Sequence, residues 1–260
     1  MENKMIRSIK NFISDYWKTL AFFAISGIVG GLCVGFYLLD GYPEELVEQI
    51  YAQGLNDTLV AVVSAMQATV YGVLLGTIGI ILGNKIGLVK NEKDFRFLPT
   101  VAAVFVAVLG GLVLIGSDLF YFGQYSEAIM QSYATKPTVV HIIGMVIYGG
   151  VIEEVMLRLF MMSLIAFILV KLFGKGADEP SGVMLFLANL ISSLLFAAGH
   201  LPVTQLLLGI TPMILLRCFL LNGGIGLMFG WLYRKCGLRY AMIAHAGCHV
   251  VSKLIWVLCI

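Results

Sequence analysis

The sequence predicts an all-α fold, a polytopic transmembrane helical bundle of about seven spans. Three observations predict it. Of 260 residues, 60% are hydrophobic and only 12% charged, with a mean hydropathy of +0.94; a soluble domain carries nearer ~25% charged residues. Apolar runs of about 20 residues, long enough to cross a bilayer, recur along the chain. Lysine and arginine gather between those runs, at residues 4–18, 85–96, 171–175 and 234–239. These clusters fall on alternate loops, so seven spans with a cytoplasmic N-terminus satisfy the positive-inside rule. The expected setting is the cell (plasma) membrane, with membrane lipids as surroundings. A formal net charge of +2 and the lack of a basic tract argue against a nucleic-acid partner.

The elements follow in order. Residues 1–18 read as an amphipathic cytoplasmic N-terminus, and residues 19–137 as a three-span region. The first span, about 20–39, has no A-x-A-like site behind it and is expected to remain uncleaved. Its Gly27, Gly31 and Gly35 form a stripe of small residues suited to close packing within the same protein. An acidic loop follows, with Asp40, Glu44, Glu45, Glu48 and Asp57. The second span, about 59–82, carries a further glycine stripe and ends before Lys85, Lys90, Lys93 and Arg96. The third covers about 98–115, which leaves Asp118, Glu127 and Lys136 in the outgoing loop.

The fourth span runs from Val139 to Val170 and ends near Lys171 and Lys175. Residues 174–182 are a polar break, with Pro180 suited to the first turn of the next helix. The fifth span, about 183–200, stops at Leu201-Pro202. The sixth, about 213–233, contains Arg217, Asn222, Gly223 and Gly224, and the seventh starts at Tyr240. The five cysteines form no CxxC pair and no disulfide framework; most lie in apolar runs and read as small buried hydrophobes.

Charge inside the fourth span is the feature that bears on function. Glu153, Glu154 and Arg158 interrupt a run that is otherwise apolar. A charge at the bilayer centre costs at least ~2.5–3.5 kcal/mol on insertion scales, so such residues point to a functional site. In an α-helix Glu154 and Arg158 share a face and can pair. Glu153 then points about 100° away, free to face a reactant. The alternative is a buried structural ion pair with a spare acid beside it. His200 ends the fifth span, one turn after Phe196, and His245 and His249 stand at i and i+4 on the seventh. Carboxylates and imidazoles together suit either water activation or metal binding.

In this order, Glu153-Glu154-x-x-x-Arg158, Phe196-x-x-x-His200 and His245-x-x-x-His249 resemble the motif set of the CAAX-protease and bacteriocin-processing (CPBP, or Abi) family. That family comprises intramembrane endopeptidases and includes the type II CAAX prenyl endopeptidases. The resemblance covers about residues 138–255, within a C-terminal region 138–260 that it marks as the catalytic helical core. It implies hydrolysis of a peptide bond in a membrane-associated peptide or protein, CAAX-like or in a peptide precursor. It further implies that Glu153 is the general base on a water, that His200 orients or shares the proton, and that Glu154 and Arg158 hold the helix. His245 and His249 would stabilise the oxyanion.

The last motif departs from the family pattern: its final position is usually Asn, and here it is His249. A neutral imidazole can still donate one hydrogen bond, and it also adds a third imidazole. No cofactor is expected under the glutamate reading; a zinc-dependent version would use Glu153, His200, His245 and His249 as ligands. The non-enzymatic alternatives are an immunity or scaffold membrane protein and a proton-coupled transporter. Depth poses a puzzle. His200 lies ~25 Å along its span from the basic end, and His245 only a few residues along its own. They meet only if the fifth helix begins low or the sixth is broken near Asn222-Gly223-Gly224.

Overall fold

The computed structural model describes residues 2–90 and 94–260, with side chains from residue 10. Lys93 and part of the amphipathic character expected of residues 1–18 lie outside this. Seven helices are long and apolar enough to cross a membrane: Lys10–Tyr37, Asp57–Lys85, Phe97–Tyr125, Val139–Phe173, Gly182–Leu208, Pro212–Cys236 and Leu238–Cys259. They are called the first to seventh spans below. No strand occurs among the described residues. Side chains close the open N–H groups at four starts: Asn56, Thr138, Ser181 and Thr211 each accept from a backbone N–H in the first turn. Such caps are typically worth ~1 kcal/mol each. Gly237, at φ +111°, makes the tight turn between the sixth and seventh spans, a conformation that favours glycine.

Three boundaries differ from expectation. Pro180 does not open the fifth helix; it precedes the Ser181 cap, and the helix starts at Gly182. The chain does not stop at Leu201-Pro202 either. A second helix, Leu201–Leu208, follows with the proline in its first turn, where a missing N–H costs nothing. The third helix runs on to Phe120, so Asp118 belongs to the span rather than to its loop.

The small-residue stripe on the first span packs against the second. A Cβ at Gly27 would come to 2.7 Å of the Thr69 Cα and one at Gly31 to 2.6 Å of the Ala65 Cα; Gly35 faces the Ala61 backbone as closely. One core joins the spans: Phe23, Ile80, Val106, Val155, Phe229 and Ala244, from six different spans, belong to a single buried cluster. Many large apolar side chains, such as Met66, Phe105 and Leu112, face outward. Lipid replaces water around them, so exposure carries no hydrophobic penalty there.

The basic stretches at residues 85–96 and 234–239 meet at one end. Lys90 Nζ donates to the Lys235 carbonyl at 2.5 Å, and Arg239 Nη1 to the Asp94 carbonyl at 3.1 Å. The opposite end is held by a pair with a buried carboxylate that hydropathy alone does not reveal. Arg217 Nε and Nη2 donate to the two Asp118 oxygens at 2.6 Å each, and the Tyr133 hydroxyl donates to Asp118 at 2.8 Å. Burial, then the Asp118 carboxylate, pushes the Tyr133 phenol up from its ordinary pKa and keeps it a donor.

Removing one partner of such a pair leaves a buried charge uncompensated, at ~3–5 kcal/mol. Arg217→Met should therefore lower the unfolding temperature in detergent, and Asp118→Leu with Arg217→Met should restore most of it. A single variant that unfolds with the wild type would show the pair to be dispensable.

Four segments inside the spans are wound as π-helix: Tyr71–Leu75, Met145–Glu153, Val155–Met162 and Phe219–Gly223. Two of them flank Glu154. The i→i+5 pattern puts more residues in each turn than an α-helix, so successive side chains diverge less.

Candidate active site

The π winding changes what the paired glutamates do. On an α-helix Glu153 and Glu154 would address different neighbours. Here both reach the same imidazole from opposite edges. Glu154 Oε1 lies 2.8 Å from His245 Nδ1, and Glu153 Oε2 lies 3.8 Å from His245 Nε2. A carboxylate oxygen only accepts, so an ionised Glu154 fixes the proton on Nδ1 and turns the Nε2 of a neutral ring into an acceptor. The 3.8 Å gap to Glu153 exceeds a hydrogen bond and is short enough for one water to bridge. Glu154 is fully buried, whereas the Glu153 side chain keeps 21% of its surface accessible. The more exposed carboxylate is thus the one available to a reactant.

Arg158 pairs with Glu154, as the i,i+4 spacing requires, at 3.5 Å from Nη1 to Oε1. Its Nη2 donates to the Gly226 carbonyl of the sixth span at 2.9 Å. The guanidinium lies over two rings, 4.8 Å from the Phe196 centroid and 5.6 Å from that of Phe229. Those rings also enclose His245: Phe229 stacks on it at 4.5 Å and Phe196 meets it edge-on at 5.8 Å. Phe229 and His245 sit eight residues before and after the Gly237 turn, which sets them at one depth on adjacent antiparallel helices.

His249 stacks on His245, with ring centroids 5.0 Å apart. Both imidazoles approach Gly149 of the fourth span. A Cβ there would lie 2.6 Å from His249 Nε2 and 3.5 Å from His245 Nε2. The bare Gly149-Gly150 pair is therefore what lets the seventh span lay its histidines against the fourth.

His200 joins less directly. Its Nδ1 is 2.8 Å from the Phe196 carbonyl, so that nitrogen carries the proton and the neutral ring offers Nε2 as an acceptor. Among the described residues no hydrogen bond or ion pair joins it to Glu153 or His245. Phe196 stands between, edge-on to both rings. This resolves the depth puzzle. The fifth helix starts beside Arg234 near the basic end, the sixth is π-wound over Phe219–Gly223, and the Phe196 side chain spans the remaining offset. Direct contact between His200 and Glu153 does not result.

Two neighbours of the site were not singled out by sequence. Phe196 entered only as a motif position, yet it touches Arg158, His200 and His245. Lys253 stands four residues beyond His249 on the seventh helix; the i, i+4, i+8 spacing within an apolar span was the available signal. His141 stacks on Tyr37 at 4.2 Å and stands edge-on to Trp256. Among the described residues no group of three or more His, Cys, Asp or Glu side chains is arranged to hold a metal ion.

A pair of carboxylates, three imidazoles and an arginine inside a helical membrane bundle define an integral membrane protein with a buried polar site. Residues 135–251 match the family described as Type II CAAX prenyl endopeptidase Rce1-like, which supports a CPBP/CAAX protease assignment for this part of the chain. No curated protein and no solved structure matches the chain.

Proposed function

We propose that the protein is an intramembrane endopeptidase that hydrolyses a peptide bond of a membrane-associated peptide or protein with a water activated by Glu153. The observation that carries this reading is the His245 ring held between Glu154 and Glu153. A water between Glu153 Oε2 and His245 Nε2 can donate a hydrogen to each and turn a lone pair on the scissile carbonyl. Glu153 takes the proton as the water's oxygen bonds to the carbonyl carbon. Glu154 keeps His245 in the accepting tautomer, the part a carboxylate plays behind a catalytic histidine elsewhere. His249 is the donor to the tetrahedral oxyanion. His200, with an accepting Nε2, fits proton sharing better than oxyanion binding. Proton return to the nitrogen of the breaking C–N bond completes the hydrolysis. The basic end faces the cytoplasm in this reading.

The test is mass spectrometry of peptides from membranes with the protein, without it, and with Glu153→Ala. Cleaved peptides present only with the wild type are expected. Identical peptide sets would leave a non-catalytic immunity or scaffold role.

His249 has its own prediction. An amide N–H can serve the same oxyanion, so His249→Asn should keep much of the activity, while His249→Ala should lose about 10²–10³ in rate. Metal analysis decides the rival: near-stoichiometric zinc that disappears in His249→Asn would assign the imidazole to a metal instead.

A further inference from the structure

We infer that Lys253 is an anion-recognising residue of this site and binds a carboxylate of the substrate; the inference rests on the endopeptidase reading above. His245, His249 and Lys253 follow at four-residue steps on the seventh helix, about 6 Å apart along its axis. Lys253 therefore continues the line of polar groups away from Glu153. It is a cation within a membrane span, half-buried, and no carboxylate among the described residues lies within ion-pair distance of it. An intramembrane charge of this kind calls for a named partner.

It is held by a protein ring rather than left free to reach for the membrane surface. The ammonium lies 4.4 Å from the centroid of the Trp256 ring. That ring is buried and is itself held by a bond from its Nε1 to the Tyr133 carbonyl at 3.1 Å. Lys253 is thus kept inside the bundle, about one helical turn beyond His249. Among the described residues nothing acidic offsets it at close range, and a carboxylate would.

Substrate carboxylates have two sources, a free C-terminus and an acidic side chain near the scissile bond. Three probes distinguish them: a prenylated peptide with a free C-terminal carboxylate, its C-terminal amide, and the amide with one Asp added near that end. Binding is measured to Glu153→Gln protein, so that it is read apart from cleavage, and KM and kcat are measured with Glu153 intact. The acid is expected to bind about tenfold or more tightly than the amide, as a charge-assisted hydrogen bond predicts. If the Asp-bearing amide regains that affinity, a side chain supplies the carboxylate as well.

Lys253→Met should erase the preference by raising KM with kcat little changed, and Lys253→Arg should retain part of it. Equal binding of all three probes to protein bearing Lys253, or a preference that survives in Lys253→Met, overturns the inference. Carboxylate-selective binding without any cleavage overturns the endopeptidase reading and leaves the anion site standing.

Discussion

Glu153→Gln should abolish cleavage while leaving the protein folded. The amide keeps the shape and hydrogen-bonding reach of the carboxylate but cannot take a proton from water. Loss of a positioned general base typically costs 10²–10⁴ in rate. Glu153 is partly accessible and stands 3.8 Å from His245 Nε2, so its replacement removes no buried ion pair. Glu154→Gln should behave differently. Its amide oxygen can still accept from His245 Nδ1, but Arg158 loses its counter-charge, so folded protein should fall together with activity. The two variants, compared by turnover of the peptides identified in membranes and by recovery of monodisperse protein, separate base from support. Glu153→Gln protein that retains a tenth or more of wild-type turnover would remove Glu153 from the role of base.

The contrast between these neighbours shows how much of the site the sequence carries. A bilayer admits only helices and closed barrels, and apolar runs of about 20 residues fit the helix, so seven spans and the intruding Glu153, Glu154 and Arg158 are legible from the sequence. The Glu154–Arg158 pair follows from helical spacing, and it is present. What Glu153 faces is not legible, because the π winding around Glu154 depends on how neighbouring helices fit. That winding brings both carboxylates to one imidazole. Gly149, Gly150 and Ala246 are part of the fit, since the glycine backbone lies against Ala246.

Asp118 fails for a related reason. Hydropathy assigns an acid at the end of an apolar run to the loop. Its partners Arg217 and Tyr133 are 99 and 15 residues away in sequence, and those contacts let the helix continue through it. His200 is an intermediate case. Its motif is visible, but the Phe196 ring between it and His245 is a matter of helix depth, which no local pattern encodes. Lys253 was visible in principle. A third polar residue at four-residue spacing after His245 and His249 is a helical signal, hidden because a lysine near the end of a span ordinarily reads as an interfacial anchor.

Arg158→Ala should cause the largest loss of folded protein of any single change in the core. Arg158 is the largest fully buried side chain among the described residues, and three spans depend on it. It faces Glu154 on the fourth, donates to the Gly226 carbonyl on the sixth, and lies over Phe196 of the fifth and Phe229 of the sixth. Truncation leaves Glu154 charged and fully buried without its cation, which typically costs ~3–5 kcal/mol, and leaves the Gly226 carbonyl without this donor. Glu154 also orients His245, so the damage passes to the reacting groups. Arg158→Lys keeps the charge but not the planar guanidinium that lies between two rings while reaching a carbonyl. It should recover only part of the folded protein. The measurements are monodisperse yield after extraction, the unfolding temperature in detergent, and turnover per folded molecule. Wild-type values of all three in Arg158→Ala would mean that the Glu154 carboxylate is held neutral in the core and needs no cation.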